Sequence, residues 1–186
     1  MTELWQLSAS EIAVKIDAGE TTCEAVTAAC LERIEEREPQ VGAWIYLNKS
    51  LALENARVID RTGRGGLIRG VPLGVKDIID TYDMPTGHGS RIHSENRPDY
   101  DAPCVAMCRA EGGLVLGKTV TSEFAHLNPG KTKNPHNPAH SPAGSSSGSG
   151  AAVADYMVPV AFGTQTGGSI VRPAAFNGCI GYKPSY

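Results

Sequence analysis

Ser169 closes the run Gly163-Thr164-Gln165-Thr166-Gly167-Gly168-Ser169. A second serine cluster, Gly144-Ser145-Ser146-Ser147-Gly148-Ser149-Gly150, stands before it, and the small apolar segment Ala151-Ala152-Val153-Ala154 lies between the two. Consecutive glycines let a backbone approach a ligand closely, and successive N–H groups in such a loop can converge on an anion. A serine after Thr-Gly-Gly is therefore placed to attack a carbonyl whose developing oxyanion those N–H groups receive. A serine hydroxyl is a weak nucleophile until a base takes its proton. No histidine lies in this stretch. The upstream candidate is Lys76, at the end of Gly70-Val71-Pro72-Leu73-Gly74-Val75-Lys76-Asp77. A lysine acts as a base when burial or neighbouring cations lower its pKa. Asp77 would keep Lys76 charged if the two met, but adjacent strand residues point to opposite faces.

The combination of Gly-Val-Pro-Leu-Gly-Val-Lys-Asp, the Gly-Ser-Ser loop and Gly-Thr-x-Thr-Gly-Gly-Ser-Ile resembles the amidase signature family. Asp101-Ala102-Pro103, Leu116-Gly117-Lys118-Thr119 with Glu123-Phe124-Ala125, Asn134-Pro135-His136-Asn137-Pro138 and Gly181-Tyr182-Lys183-Pro184 add to the match in order and spacing. The signature covers roughly residues 70–186, and the N-terminal helices are similar to the family's. The resemblance implies Ser169 as nucleophile, Ser145 as bridging serine after a cis Gly144–Ser145 peptide, and Lys76 as base. It implies an oxyanion hole from the backbone of Thr166, Gly167, Gly168 and Ser169, an acyl-enzyme intermediate, and no metal or organic cofactor. Lys76 would take a proton from Ser145, Ser145 one from Ser169, and the relay would return a proton to the leaving nitrogen. The usual double glycine before the serines is Ala143-Gly144 here, and Gln165 stands where many members carry aspartate. The Thr-Gln-Thr-Gly-Gly-Ser form resembles a malonamidase-like branch, in which an arginine three residues after the nucleophile takes a substrate carboxylate. Arg172 stands there; a structural ion pair or helix-end contact is the alternative role.

Family domains are more than twice the length of this chain. The expectation is therefore the N-terminal part of one amidase signature domain, with residues 1–60 as helical scaffold and 70–186 as the catalytic signature region. The expected fold is α/β, a mixed sheet core flanked by helices and apparently truncated. The implied function is hydrolysis of a small-molecule amide. An amidotransferase subunit that releases ammonia from glutamine uses the same triad, and an inert remnant of the fold is a rival of another class. A homodimer or a missing C-terminal half are the partners left open.

The elements that must position these residues follow from pattern. Ser8-Ala9-Ser10-Glu11 opens an amphipathic helix with a capping box, which Gly19 ends. Thr21 or Thr22 caps a second helix to about Glu38, which Pro39 closes. Trp44-Ile45-Tyr46-Leu47 reads as a strand and Leu51 to Ile59 as a helix. After the loop from Arg61 to Gly70, Val71 to Val75 reads as a short strand that delivers Lys76. Asp80 to Tyr100 is polar and turn-rich, a mobile edge for a site. Ala102 to Glu111 reads as a helix, Leu114-Val115-Leu116 as a buried strand, and Thr121-Ser122-Glu123 as the start of another short helix. Asn128 to Pro142 is a long loop. Alternating helices and strands make an α/β class.

Other patterns carry less. Gly112 to Thr119 satisfies the P-loop pattern literally, but a helix precedes these glycines and Leu-Val-Leu is the strand itself, whereas a P-loop follows a strand. Gly144 to Gly148 satisfies the nucleophile-elbow pattern with Ser146 at its centre, but loop rather than strand precedes it. Ser146 is read as a hydrogen-bonding loop residue. Cys104 and Cys108 share a helix face, and small buried apolar residues are the stronger reading for them. The five histidines form no metal-ligand spacing.

Composition narrows the class. The 186 residues suffice for a sizeable core, and 41% apolar with 20% charged residues is ordinary for a globular chain. A net charge of −3 leaves no basic footprint for nucleic acid. No apolar run reaches a membrane span. The N-terminus lacks a signal-peptide layout, and five cysteines argue against a disulfide framework. The default location is cytoplasmic.

Overall fold

The computed structural model describes residues 2–63 and 65–185. Its centre is a four-stranded mixed sheet in the order β1-β3-β2-β4. The strands are β1 (Trp44–Leu47), β2 (Pro72–Lys76), β3 (Leu114–Thr119) and β4 (Val160–Phe162). β2 runs parallel to both β3 and β4, and β1 is antiparallel to β3. The carboxyl ends of β2, β3 and β4 therefore open on one edge of the sheet.

Helices α1 (Ala9–Asp17), α2 (Cys23–Val41) and α3 (Lys49–Thr62) form the N-terminal scaffold. Ser8 caps α1 reciprocally: its hydroxyl accepts the Glu11 N–H, and the Glu11 carboxylate accepts the Ser8 N–H at 2.8 Å. Thr22 caps α2, and Asp60 on α3 accepts the N–H groups of Cys23 and Glu24 at 2.8 and 3.0 Å. The pattern of the sequence ends α2 at Pro39, but the helix runs through it to Val41. A proline in the last turn removes only one donor, and its fixed φ suits a helix. Gly42, in the left-handed region at φ 64°, makes the actual stop.

Apolar residues cover both faces of the sheet. Ile12, Ile16, Val26, Ile34, Trp44, Leu114, Leu116 and Met157 lie on the helical side, and Leu73, Val75, Val105 and Val115 on the other. A register shift between β2 and β3 falls after the Leu73–Val115 pair, so Gly74 pairs with Gly117 and Val75 with Lys118. One extra residue in β3 reverses which face its later side chains reach. Lys118 thus joins the face of Val75 and Asp77, opposite to Leu116. The strand itself extends to Thr119, past the Leu116 end that the apolar run suggests.

Helix α4 (Pro103–Ala110) precedes β3, as its pattern predicts. Beyond it the structure departs from the pattern. The Gly-Ser cluster is loop only as far as Ser146, because α5 spans Ser147–Ala154. A Cβ at Gly148 would sit 2.3 Å from the Ala43 carbonyl oxygen and 2.4 Å from the Val120 nitrogen. Glycine serves here to bring a helix backbone against the sheet, not to supply flexibility. α5 packs on β2, β3 and β4 and against α6 (Val171–Asn177). Arg33 and Arg37 on α2 reach the buried Asp155 after α5 at 3.0 and 2.8 Å. The short helix expected after Thr121 is a single 3-10 turn over Glu123–Ala125.

Candidate active site

Lys76 ends β2 with its side chain fully buried. Its Nζ donates to Ser145 Oγ at 2.8 Å, to Thr164 Oγ1 at 2.7 Å and to the Thr164 carbonyl at 3.5 Å. Only hydroxyl and carbonyl oxygens accept from the amine, and no carboxylate joins them to offset the rest of its lost hydration. Burial lowers its pKa from 10.5 to about 8. Asp77 points the other way. Its carboxylate accepts the Gly87 and Gly89 N–H groups at 3.0 and 3.3 Å and lies 3.7 Å from Lys118 Nζ.

Ser145 follows a cis peptide from Gly144. Its carbonyl accepts the Ser122 N–H at 3.1 Å, which fixes the loop to the carboxyl end of β3. Ala143, where the sequence pattern leads one to expect glycine, has φ 58°. That left-handed conformation accounts for the glycine preference. Ser146 bonds within the loop: its hydroxyl donates to the Thr164 carbonyl and accepts the Thr164 N–H, both at 3.3 Å. One residue thus ties the Ser145 loop to the loop after β4.

Ser169 is nearly buried, at 9% exposure. It meets the serine loop through its backbone: the carbonyl accepts the Ser146 N–H at 3.2 Å. The Ser169 hydroxyl makes no hydrogen bond among the described residues. The structure therefore joins Lys76 directly to Ser145, and places Ser169 beside them without a Ser145–Ser169 hydroxyl contact. Thr166 and Gly167 are exposed and Gly168 is buried. The N–H groups of Thr166, Gly167, Gly168 and Ser169 have no protein acceptor among the described residues, so four donors stay free around the serine.

Several groups that hold this loop escape a reading of the sequence. The Gln165 side-chain oxygen accepts the N–H groups of Ile170 and Val171 at 2.9 and 3.0 Å, closing the turn across Ser169. Ser149 bonds Thr119 Oγ1 at 2.7 Å and the Phe162 carbonyl at 2.8 Å, linking α5 to β3 and β4. Thr164 is the first Thr of the Gly-Thr-x-Thr run, and that repeat is its only signal. Lys118 is buried too, donating to Thr86 Oγ1 at 2.6 Å and the Pro85 carbonyl at 3.1 Å. Burial lowers its pKa to about 8 although Asp77 opposes the shift. The P-loop-like residues 112–119 are a turn and β3, so Lys118 is a sheet residue, not part of a phosphate cradle.

Arg172 lies in the first turn of α6, exposed, with its N–H on the Gly168 carbonyl at 2.8 Å. It makes no ion pair among the described residues. Among the described residues no group of three or more His, Cys, Asp or Glu is placed to hold a metal ion, and no helix is long and apolar enough to cross a membrane.

Comparison with known proteins fits this geometry. A sequence model of the family described as Amidase matches residues 25–186. A glutamyl-tRNA(Gln) amidotransferase subunit from Chlamydia pneumoniae is 43% identical over 98% of this chain and 39% of its own. Its counterpart of the same description from Thermobifida fusca is 43% identical over 100% of this chain and 39% of its own. The crystal structure of native peptide amidase from Stenotrophomonas maltophilia superposes with a TM-score of 0.86 at 39% identity, over 92% of this chain and 39% of that one. An amidase family protein from Bacillus anthracis gives 0.86 at 34% identity, over 94% and 38%. The chain thus spans about two fifths of the length of the relatives it matches.

Proposed function

The chain belongs to the amidase family, and from that premise we propose that it carries the catalytic elements of an amide hydrolase working through Lys76, Ser145 and Ser169. The observation that carries this reading is the 2.8 Å contact from a fully buried lysine to the Ser145 hydroxyl. With its pKa lowered to about 8, about a tenth of Lys76 is neutral at pH 7 and half at pH 8. For an amine at 10.5 the figure at pH 7 would be about one in three thousand.

Neutral Lys76 takes the Ser145 proton. Ser145 takes the Ser169 proton as Ser169 Oγ bonds to the amide carbonyl carbon. The charge that forms on the carbonyl oxygen is received by the free N–H groups of Thr166, Gly167, Gly168 and Ser169. The proton returns through Ser145 to the nitrogen, the C–N bond breaks, and the amine leaves. Water then repeats the relay on the acyl-enzyme and frees the acid and Ser169. The Ser145–Ser169 hydroxyl contact that this path requires forms as substrate closes the site; catalytic hydrogen bonds commonly tighten only in the Michaelis complex. Arg172, exposed and unpaired one turn beyond Ser169, offers a guanidinium to a substrate carboxylate. No step asks for a metal or organic cofactor.

Intact mass after incubation with a fluorophosphonate tests the assignment. One adduct is expected, absent in Ser169→Ala and slowed in Lys76→Ala. An adduct that persists in Ser169→Ala refutes the nucleophile. The 43% identity to amidotransferase subunits favours a second reading, in which the amide is glutamine and the ammonia passes to a partner. Release of ammonia from glutamine faster than from simple aliphatic amides, and stimulated by an acceptor-bearing partner, would select it.

A further inference from the structure

The two segments that carry the serines are tied to each other at both ends. One runs from Pro142 through Ala143 and Gly144 to Ser145 and Ser146; the other runs from Ser169 through α6 to Asn177. At one end the Ser146 N–H donates to the Ser169 carbonyl at 3.2 Å. At the other, Asn177 Nδ2 donates to the Pro142 carbonyl at 2.9 Å. The first tie is backbone to backbone. The second depends on one side chain, through which no proton of the relay passes.

Asn177 is fully buried at the end of α6. The same nitrogen donates to the Pro173 carbonyl one turn back at 2.7 Å, so both amide protons go to carbonyl oxygens. Its Oδ1 is buried with no partner among the described residues. Turning the amide over would set that oxygen against two carbonyl oxygens, so its surroundings fix the orientation. The backbone beside it is anchored as well. The Asn177 carbonyl accepts from His136 Nε2 at 2.7 Å, and the Phe176 carbonyl accepts from Asn134 Nδ2 at 2.8 Å. The loop that leads to Pro142 thus holds the donor in place.

The Pro142 carbonyl belongs to the peptide plane that sets φ of Ala143, and that φ is 58°. Alanine has no polar side chain to compensate for the left-handed region, and such residues stay there only where neighbours impose it. Two bonds on one peptide impose it here. Ser141 Oγ accepts the Ala143 N–H at 3.0 Å, and Asn177 takes the carbonyl on the other side. With the carbonyl released, the plane is free to rotate toward ordinary negative φ, and Ser145, two residues on, moves with it. The Ser145 hydroxyl stands 2.8 Å from Lys76 Nζ, and a misplacement of about 1 Å can cost about a hundredfold in rate.

We propose that Asn177 is a positioning residue: through the Pro142 carbonyl it holds Ala143 in the left-handed conformation that presents Ser145 to Lys76 and Ser169. This rests on the amide-hydrolase reading of the two serines. The side chain acts from the far end of α6 and touches none of the reacting atoms.

Two readouts on the full chain test it. Alanine methyl groups are labelled with 13C, and the Ala143 signal, whose shift follows its backbone angles, is assigned by its loss in Ala143→Gly. In Asn177→Ser the hydroxyl can still bond the Pro173 carbonyl one turn back but is too short for Pro142. The Ala143 signal is expected to move there while those of Ala13 and Ala52 in the scaffold stay fixed. Acylation of Ser169 by a small fluorophosphonate is expected to slow at least tenfold. A merely structural loss would slow it by the same factor in every background. Positioning of Ser145 makes Asn177→Ser cost less than twofold in Ser145→Ala. It also lets Ala143→Gly, which adopts positive φ readily, restore Asn177→Ser to within threefold of the unchanged chain. Asn177→Cys, a small side chain suited to burial, takes its place if Asn177→Ser fails to fold. One equal factor in all backgrounds overturns the inference. Ser145-dependent acylation with an unmoved Ala143 signal refutes it and leaves the hydrolase reading standing. A moved signal with no acylation in any of the proteins refutes the hydrolase reading and leaves Asn177 as the brace of the Ala143 turn.

Discussion

Raising the pH from 8 to 10 distinguishes a buried base from an ordinary lysine. The neutral fraction of an amine at pKa 8 grows from about 0.01 at pH 6 to 0.5 at pH 8 and about 1 at pH 10. Fluorophosphonate acylation of Ser169, if it needs neutral Lys76, should therefore rise about fiftyfold from pH 6 to 8 and only about twofold from 8 to 10. An amine at 10.5 would give about a hundredfold over the first interval and a further seventy- to eightyfold over the second. The second interval decides, because the two expectations differ there by more than an order of magnitude. The direction follows from the site: the amine has three oxygen acceptors and no carboxylate, and burial is the one cause of its shift to about 8. The assay is the second-order labelling rate by intact mass, corrected at each pH for hydrolysis of the probe. Thr164→Val is the companion variant. It removes the 2.7 Å acceptor and should lower the plateau while leaving the midpoint at or below 8, since losing a partner of the ammonium disfavours the charged form. A rate still climbing tenfold per unit at pH 9 would refute Lys76 as a desolvated base.

Lys76→Met should stabilise the fold by about 1–3 kcal/mol at pH 7 while slowing acylation, because a buried ammonium opposes folding below pH 8 and a thioether of similar length does not. The folded-state pKa lies below the unfolded one, so this gain should shrink as pH rises from about 8 to 10.5, which urea midpoints at pH 7 and 10 would show. Gln165→Ala removes the acceptor of two N–H groups and should cost about 1 kcal/mol and slow acylation at least tenfold, with Gln165→Glu retaining the fold stability; equal acylation in all three proteins would contradict its bracing role. Gly148→Ala drives a Cβ into the backbone of Ala43 and Val120 and should cost about 3 kcal/mol, measured as a loss in denaturant midpoint. Arg172→Ala should leave stability within about 0.5 kcal/mol and raise KM only for amides that bear a carboxylate; an equal rise for neutral amides would assign it a structural role.

The residues legible in the sequence share a property: chemistry and position are written in the same short run. Lys76 follows three apolar residues of a strand, so its type and its burial can be read together, and Ser145 and Ser169 stand in glycine-rich runs whose spacing has few other uses. The first scaffold helices are legible for the same reason, since Ser8, Glu11, Thr22 and Gly19 are local signals. What escapes depends on partners far along the chain. Lys118 faces Asp77 only because β3 carries one residue too many against β2, and no local pattern marks a register shift. Pro39 reads as a stop by rule, yet Gly42 three residues on is the position where the left-handed stop is made. The Gly-Ser cluster is the instructive case. Propensity assigns Ser147-Gly148-Ser149-Gly150 to loop, because glycine is about 1 kcal/mol worse than alanine within a helix. The sheet overrides that preference. A helix lying across the ends of β3 and β4 buries Ser147 to Ala152 and binds Ser149 to two strands, and only glycine at 148 admits the approach. The composition that resembles a flexible linker is thus the one that lets a rigid helix come close enough to fix the Ser145 loop against Lys76.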